Sequence, residues 1–287
     1  MVNISVIIPT FNEEKAIGDT IERILAVCKK IKEKTEVIVV DDGSTDNTAN
    51  LLKNSDVILL KHTQNIGYGA AIKTGIRKAK GEWILICDAD GTYPIEDIPR
   101  LLEFNETYDM IVGARTGKKI KIPAYRKPAK WIFKRLAEYL TKTNIPDLNS
   151  GLRLFKRADV LKLFTILPNK FSFTTTITLA YLTNNLTVKY VPINYEKRIG
   201  KSKISPIVDG LNFILLILRT VTYFRPLRIF LPLSFTLLLF ATVVYIYSIL
   251  YLEKMMDVAI ILLVITSIQI AIFGLLADLI AKQKIYG

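Results

Sequence analysis

The chain has 287 residues, 51% of them hydrophobic and 23% charged, and its 39 Lys and Arg against 26 Asp and Glu give a formal net charge of +13. That mixture excludes a disordered tail, a collagen-like fibre and a disulfide-stapled mini-protein. Its two cysteines, Cys28 and Cys87, have no metal-binding or redox spacing, and a mean hydropathy of +0.31 beside so many charges points to two kinds of segment joined in one chain.

Residues 1–114 alternate short β-branched runs with helical patterns. Strands are predicted at Ile4–Ile8, Glu36–Val40, Val57–Leu60, Trp83–Cys87 and Asp109–Val112. A helix is predicted over Lys15–Ile31, where Ile17, Ile21, Ile24 and Leu25 share a face. Near-continuous apolar strands suit a parallel sheet covered on both faces. The alternation predicts a doubly wound α/β domain, whose ligands bind beyond the carboxyl ends of the strands. Polar clusters stand at those ends. Pro9-Thr10-Phe11-Asn12-Glu13-Glu14 follows the first strand, Asp41-Asp42-Gly43-Ser44-Thr45-Asp46 the second, and Asp88-Ala89-Asp90-Gly91 the fourth. Three acidic clusters in one sheet repel one another unless something cationic sits among them. Asp88 and Asp90, at i and i+2, resemble a site for a hard cation whose shell is completed by phosphate oxygens. There is no GxxxxGK[ST] P-loop, and Asn65-Ile66-Gly67-Tyr68-Gly69 opens a helix without the dinucleotide spacing. His62, the one histidine, has no evident role.

Charge is spread unevenly. Residues 1–114 hold 13 basic and 18 acidic residues (−5), residues 115–203 hold 20 and 4 (+16), and residues 204–287 hold 6 and 4 (+2). A single-sign field of that size points to an anionic partner: nucleic acid, a phospholipid surface or a phosphorylated substrate. The last third favours the bilayer over nucleic acid. Ile204–Phe224 is apolar but interrupted by Asp209, Asn212 and Arg219 and bracketed by Pro206 and Pro226, as expected of a helix lying in the membrane interface. Ile229–Tyr251 and Val258–Ala277 are uncharged runs of 23 and 20 residues. At about 1.5 Å per residue each is long enough for a hydrocarbon core of roughly 30 Å, so a hairpin of two spanning helices is predicted. Arg219, Arg225 and Arg228 precede it and Lys282 and Lys284 follow it. The positive-inside tendency then puts both ends, and the α/β domain, on the cytoplasmic side. Met1–Ser5 has no basic n-region, in keeping with a cytoplasmic domain.

The segments PTFNE, DDGSTD, NxGxG and DAD, in this order, resemble the donor site of family 2 glycosyltransferases with the GT-A fold, over about residues 1–203. Within that family the chain is most similar to polyprenyl-phosphate glycosyltransferases of the dolichol-phosphate mannose synthase type. The residues that carry this are Arg115, Tyr125-Arg126, Asp147-Leu148-Asn149-Ser150-Gly151 and Arg198-Ile199-Gly200-Lys201-Ser202-Lys203. The resemblance implies a catalytic domain of GT-A type (Rossmann-like α/β) over 1–203, an interfacial helix region over 204–228, and two transmembrane helices with a short tail over 229–287. It implies metal-dependent, inverting transfer of one hexose, mannose or another, from a GDP- or UDP-sugar to dolichyl or polyprenyl phosphate. Homo-oligomerisation is left open.

In that scheme Pro9, Phe11, Glu13, Asp42 and Ala89 hold the nucleotide, and Asp88 and Asp90 bind Mg2+ or Mn2+ on the diphosphate. Arg115 and Arg198 approach the diphosphate or the acceptor phosphate. Arg126 takes the lipid phosphate, since an arginine fork donates two hydrogen bonds at once. Two positions depart from the pattern. Thr92 stands where dolichol-phosphate mannose synthases often have Gln. Phe171-Ser172-Phe173-Thr174-Thr175-Thr176 has no acid where many family 2 enzymes present a base. A phosphate monoester, with its second pKa at about 6, is largely dianionic near neutral pH and attacks without one. The missing acid therefore favours a lipid phosphate over a growing glycan. The alternatives are a transferase that extends a lipid-linked glycan or polysaccharide, and a non-catalytic adaptor on anionic lipid.

Overall fold

A computed structural model describes residues 3–117, 127–170, 172–196, 206–252 and 256–286, the side chains of 127–133, 206–214 and 284–286 excepted. Seven strands form one sheet: β1 (Ile4–Thr10), β2 (Thr35–Asp41), β3 (Ile58–Lys61), β4 (Trp83–Ile86), β5 (Met110–Ala114), β6 (Arg153–Lys156) and β7 (Val188–Pro192). Their order is β3-β2-β1-β4-β6-β5-β7. The five expected strands are all present, displaced by a residue or two. The five expected strands run parallel to one another, as the sequence implies, and the antiparallel strand is one that the sequence does not mark. β3, β2, β1 and β4 are parallel, as are β5 and β7, but β6 runs antiparallel between β4 and β5. Because β6 runs the other way, the loop that leads into it lies at the carboxyl ends of β4 and β5, where Arg153 pairs with Ile86 and Val112.

The apolar strands alternate strictly between two cores. Val6, Ile8, Val37, Val39, Leu85, Ile111 and Leu154 face Ile17, Ile21 and Ile24 of α1 (Ile17–Cys28), Leu52 just after α2 (Thr48–Leu51), and Ile98 and Leu101 of α4 (Ile98–Leu102). Ile7, Ile38, Val40, Ile84, Met110, Val112 and Phe155 face α3 (Tyr68–Lys78), α6 (Arg157–Lys162) and α7 (Phe173–Thr183) through Ile72, Ile76, Val160, Phe173 and Ile177. These side chains are buried on both faces, and each contributes about 1.5–3 kcal/mol on transfer out of water. The predicted helix face of Ile17, Ile21 and Ile24 is the buried one; the helix is shorter at both ends than the predicted Lys15–Ile31.

A third, smaller apolar cluster joins the sheet domain to the helices at the carboxyl end of the chain. It contains Ala137 and Leu140 of α5 (Lys127–Thr141), Ile145, Leu148, Leu179 of α7, and Ile217 and Val221 of α8 (Pro206–Phe224). Ile229, at the start of α9 (Leu227–Tyr251), packs against it. α10 (Asp257–Tyr286) then runs back along α9, and both are long and apolar enough to cross a membrane. Phe235, Phe240, Tyr251, Val258 and Phe273 are each more than half exposed, which is the reverse of a soluble core helix. The facing sides carry small residues instead: Ser234, Ala241 and Ser248 at seven-residue spacing on α9, and Ser267, Gly274 and Ala281 at the same spacing on α10. Seven-residue repeats keep one seam in contact between two helices, and small residues let their backbones approach. Ser234 and Ser267 exchange hydroxyl-to-carbonyl hydrogen bonds of 2.8 and 2.9 Å across the seam.

Candidate active site

The strand order turns back between β1 and β4, and in an open α/β sheet a crevice lies at the carboxyl ends of such a pair. Four loops meet there: those after β1, β2 and β4, and the loop entering β6. The first two interlock. The backbone N–H groups of Asn12 and Glu13 donate to Ser44 Oγ and Thr48 Oγ1, both at 2.9 Å, while Thr45 N–H returns a bond to Asn12 Oδ1 at 2.8 Å. Asp46 accepts from the backbone and hydroxyl of Thr48 and from Glu14 N–H. Partial burial pushes its carboxyl up, but these donors outweigh that and hold it below the usual range.

The adjacent pair Asp41-Asp42 divides its work. Asp42 is buried and accepts from His62 Nδ1 at 2.7 Å and from the backbone N–H groups of Ile66 and Gly67 at 3.0 and 2.8 Å. The other nitrogen of His62 contacts Thr74 Oγ1 at 3.0 Å. Asp42 and His62 therefore latch the Asn65–Gly69 segment onto the sheet, a role for His62 that the sequence did not announce. Gly67 turns into α3 with φ of 116°, and a Cβ there would lie 2.4 Å from Asn169 O, so only glycine fits. Asp41 is fully buried. Its Oδ1 accepts from Ser44 N–H at 2.9 Å, but its Oδ2 has no hydrogen-bond partner, only the Lys61 ammonium 4.0 Å away, and Thr10 Oγ1 has no hydrogen-bond partner either. Thr10 and Asp41 are register partners at the ends of β1 and β2. Buried polar atoms are seldom left unpaired, so these two mark a place for a polar ligand.

After β4, Asp88 Oδ1 accepts from Tyr68 OH at 2.7 Å, and Asp90 Oδ1 accepts from Thr92 Oγ1 at 2.6 Å and Thr92 N–H at 3.2 Å. Burial, then the Asp88 charge, raise the pKa of Tyr68 well above its ordinary value, so it stays a donor. Tyr93 is raised by the same two causes, and its OH accepts from Gly151 N–H at 2.6 Å. Gly151 packs directly on the first carboxylate of the pair: a Cβ there would lie 2.3 Å from Asp88 Oδ2. The loop entering β6 is thus the wall of the crevice behind Asp88.

Arg153 fastens that wall. It is fully buried and donates to the carbonyls of Ser150 and Leu148 at 2.6 and 2.9 Å and to Thr178 Oγ1 at 2.5 Å. Burial lowers its pKa. Asn149 accepts from Thr175 Oγ1 at 2.6 Å, and Ser150 Oγ donates to Gly113 O. Arg115 grips Asp147 through Nε and an Nη at 2.7 and 2.9 Å, with its backbone N–H at 3.0 Å, and stacks over Tyr195 with 5.1 Å to the ring centre. Burial pulls the guanidinium pKa down, but the Asp147 bonds outweigh that and raise it.

Of the residues singled out from the sequence, Pro9, Phe11, Glu13, Asp42, Asp88, Ala89, Asp90 and Arg115 all lie at this sheet edge. Three of them are engaged by the protein itself. Asp42 spends its carboxylate on the protein, the Ala89 side chain belongs to the core, and Arg115 is bound to Asp147. Arg126 and Arg198 lie outside the described residues. The carboxylates of the second acidic cluster are hydrogen-bonded by the backbone amides of Ser44, Ile66 and Gly67 and by His62. Arg153, a charged residue in the interior, is missed altogether, and Asp41 and Thr10 stand in the strand-end clusters named from the sequence without a role of their own.

The crevice, the strand order and the paired aspartates after β4 define a GT-A-type fold. Glucosyl-3-phosphoglycerate synthase from Mycobacterium tuberculosis, solved with Mn2+, UDP-glucose and phosphoglyceric acid, superposes with a TM-score of 0.60 at 19% identity, over 77% of this chain and 80% of that one. Mannosyl-3-phosphoglycerate synthase from Rubrobacter xylanophilus gives 0.60 at 18% identity, over 79% and 74%. The glycosyl transferase family 2 model matches residues 5–164, more than half of the chain, and the chain belongs to that family. A second model, the GtrB C-terminal hairpin, matches residues 225–282. Undecaprenyl-phosphate 4-deoxy-4-formamido-L-arabinose transferase from Pectobacterium atrosepticum is 35% identical over 162 residues, 54% of this chain and 49% of that protein. Its namesake from Yersinia pestis is 29% identical over 211 residues, 70% and 62%. The chain thus spans about half to three-fifths of the length of these relatives.

Proposed function

We propose that the chain transfers one sugar from a nucleotide-diphosphate sugar to a polyprenyl phosphate at the surface of a membrane, with inversion at the anomeric carbon. The observation that carries this reading is the joining of a family 2 crevice to a two-helix apolar hairpin through a shared packed cluster. The match to the GtrB hairpin and the relatives named for undecaprenyl phosphate support it.

Thr10 Oγ1 and Asp41 Oδ2 provide a hydroxyl and a carboxylate oxygen for the N–H edge of a base, which satisfies the two orphaned atoms. Phe11 and Glu13 flank that place, and Asp42 shapes it from behind. Asp88 and Asp90 would hold a Mg2+ or Mn2+. Among the described residues no group of three His, Cys, Asp or Glu is placed to hold a metal, and two carboxylates suit a cation that keeps waters and substrate phosphates in its shell. When bound, such an ion supplies positive charge against the diphosphate leaving group. Tyr68 and Thr92 orient the two carboxylates from behind. The start of α7 offers Thr174, Thr175 and Thr176 where a base would stand, so the acceptor must bring its own nucleophile, as a phosphate dianion does. Arg126 and Arg198 are the candidates for phosphate contact. Arg219, Arg225 and Arg228 beside the hairpin favour a cytoplasmic catalytic domain.

The test is transfer by detergent-purified protein with Mg2+ or Mn2+, undecaprenyl or dolichyl phosphate, and in turn GDP-mannose, UDP-glucose, UDP-GlcNAc, UDP-galactose and a 4-deoxy-4-formamido-L-arabinose donor. The lipid should gain one sugar mass with release of nucleoside diphosphate. Chelator and Asp90→Ala should abolish the product. Absence of product with every donor would sink the reading.

A further inference from the structure

Four helix ends converge where the sheet domain meets the hairpin: the carboxyl ends of α5, α7 and α8 and the amino end of α9. The last carbonyls of a helix lack partners within it and carry the negative end of its dipole. α5 and α7 each give way to a left-handed residue, Lys142 with φ of 57° and Asn185 with φ of 60°. Their final-turn carbonyls are taken by two arginines of the membrane entry. Arg225 donates from Nε to Thr183 O at 2.8 Å and from an Nη to Asn185 Oδ1, and Arg228 donates to Leu140 O. Arg228 stands in the first turn of α9, where a cation opposes that helix's own dipole, so its place is explained by α5 and not by α9. The cluster around these bonds includes Leu148, from the loop that walls Asp88. The joint therefore reaches from the hairpin to the rear of the crevice.

We infer that Arg225 and Arg228 are positioning residues that clamp the sheet domain to the hairpin at a fixed height and tilt, so that the crevice meets the phosphate of a membrane-embedded acceptor. This rests on the proposed transfer to a lipid phosphate. Neither arginine touches a reacting atom, and their effect is expected only where the acceptor's position is set by the bilayer.

The experiment uses the full chain in nanodiscs, with undecaprenyl phosphate in the disc or short, water-soluble citronellyl phosphate in solution. For R225A/R228A, kcat on the embedded acceptor should fall about tenfold or more, since misplacement of reactants is costly. The rate on the soluble acceptor and the donor KM should stay within about twofold. R225K/R228K should recover part of the loss, keeping the charge but not the fork, and melting temperature monitors the fold. Equal loss on both acceptors, or no loss on either, overturns the clamp. A second readout needs no acceptor: spin labels at Lys53→Cys and Val258→Cys, in a Cys28→Ser background, should give one narrow distance that broadens in R225A/R228A. An unchanged width overturns the clamp, whereas wild-type inactivity on both acceptors overturns the transfer reading alone.

Discussion

At the scale of single residues, the aspartates proposed to hold the metal depend on neighbours outside the pair. Thr92 holds Asp90 through a 2.6 Å hydroxyl bond. Outer-shell partners of this kind affect metal affinity by about 10–100-fold. Thr92→Val should therefore raise the Mn2+ or Mg2+ concentration for half-maximal transfer about tenfold, and Thr92→Ser should restore it; an unmoved midpoint in the metal titration would remove Thr92 from the site. Gly151→Ala places a methyl against Asp88. It should cost about a hundredfold in rate and also lower the melting temperature, because the wall that Arg153 fastens must retreat from the carboxylate. The sequence made Asp88 and Asp90 legible because a short spacing after an apolar strand suffices to locate them. It did not separate Asp41 from Asp42. Which of two adjacent carboxylates faces a ligand depends on His62, Ile66 and Gly67 returning from some twenty residues away to occupy the other.

At the scale of elements, β5 and β7 are pinned at their amino ends by a reciprocal clasp. Asp109 N–H donates to Thr187 O and Oγ1, Thr187 returns its N–H and hydroxyl to Asp109 Oδ2, both at 2.8 Å, and Lys156 reaches Asp109 Oδ1 at 3.2 Å. Partial burial pushes the Asp109 carboxyl up, but the Thr187 and Lys156 bonds outweigh it and hold the pKa low. A carboxylate depressed in the folded state stabilises above its unfolded pKa, about 3.9, and that stability is lost as pH falls through the folded value. Asp109→Asn should lower stability at pH 7 by about 1 kcal/mol, and the gap from wild type should close below about pH 4. Thermal melts across pH 3–7 would check it; a gap that widened in acid would refute it. The same region shows where sequence reading ended. β6 is a four-residue strand, Arg153-Leu154-Phe155-Lys156, with charges at both ends, so no alternation marks it. Its arginine is buried only because two loop carbonyls and Thr178 surround it.

At the scale of the whole molecule, hydropathy located the hairpin, since long uncharged runs have few other uses. Its register was not legible, because small residues are scattered through both helices and only the fold selects the seam of Ser234, Ala241 and Ser248 against Ser267, Gly274 and Ala281. The hydroxyl oxygens of Ser234 and Ser267 lie 3.1 Å apart, so the two side chains already meet across the seam and need only a modest further approach to form an S–S bond of about 2.05 Å. Ser234→Cys with Ser267→Cys should therefore cross-link under mild oxidant in membranes, seen by mass spectrometry as loss of two thiols. Free thiols throughout would reject the register.

In the proposed membrane-bound state, that seam also bears on how the chain enters a bilayer. The hydroxyls of Ser234 and Ser267 are each used by the opposite helix's backbone, and Gly274 admits Phe230 so closely that a Cβ there would sit 2.6 Å away. Each helix thus hides on the other the side it would otherwise turn to hydrocarbon, leaving a lipid-facing perimeter of leucine, isoleucine, valine and aromatic side chains. The unit of insertion is therefore the pair. A chain stopped after α9 would expose a serine-lined stripe and hold the membrane less firmly than half the full hairpin does.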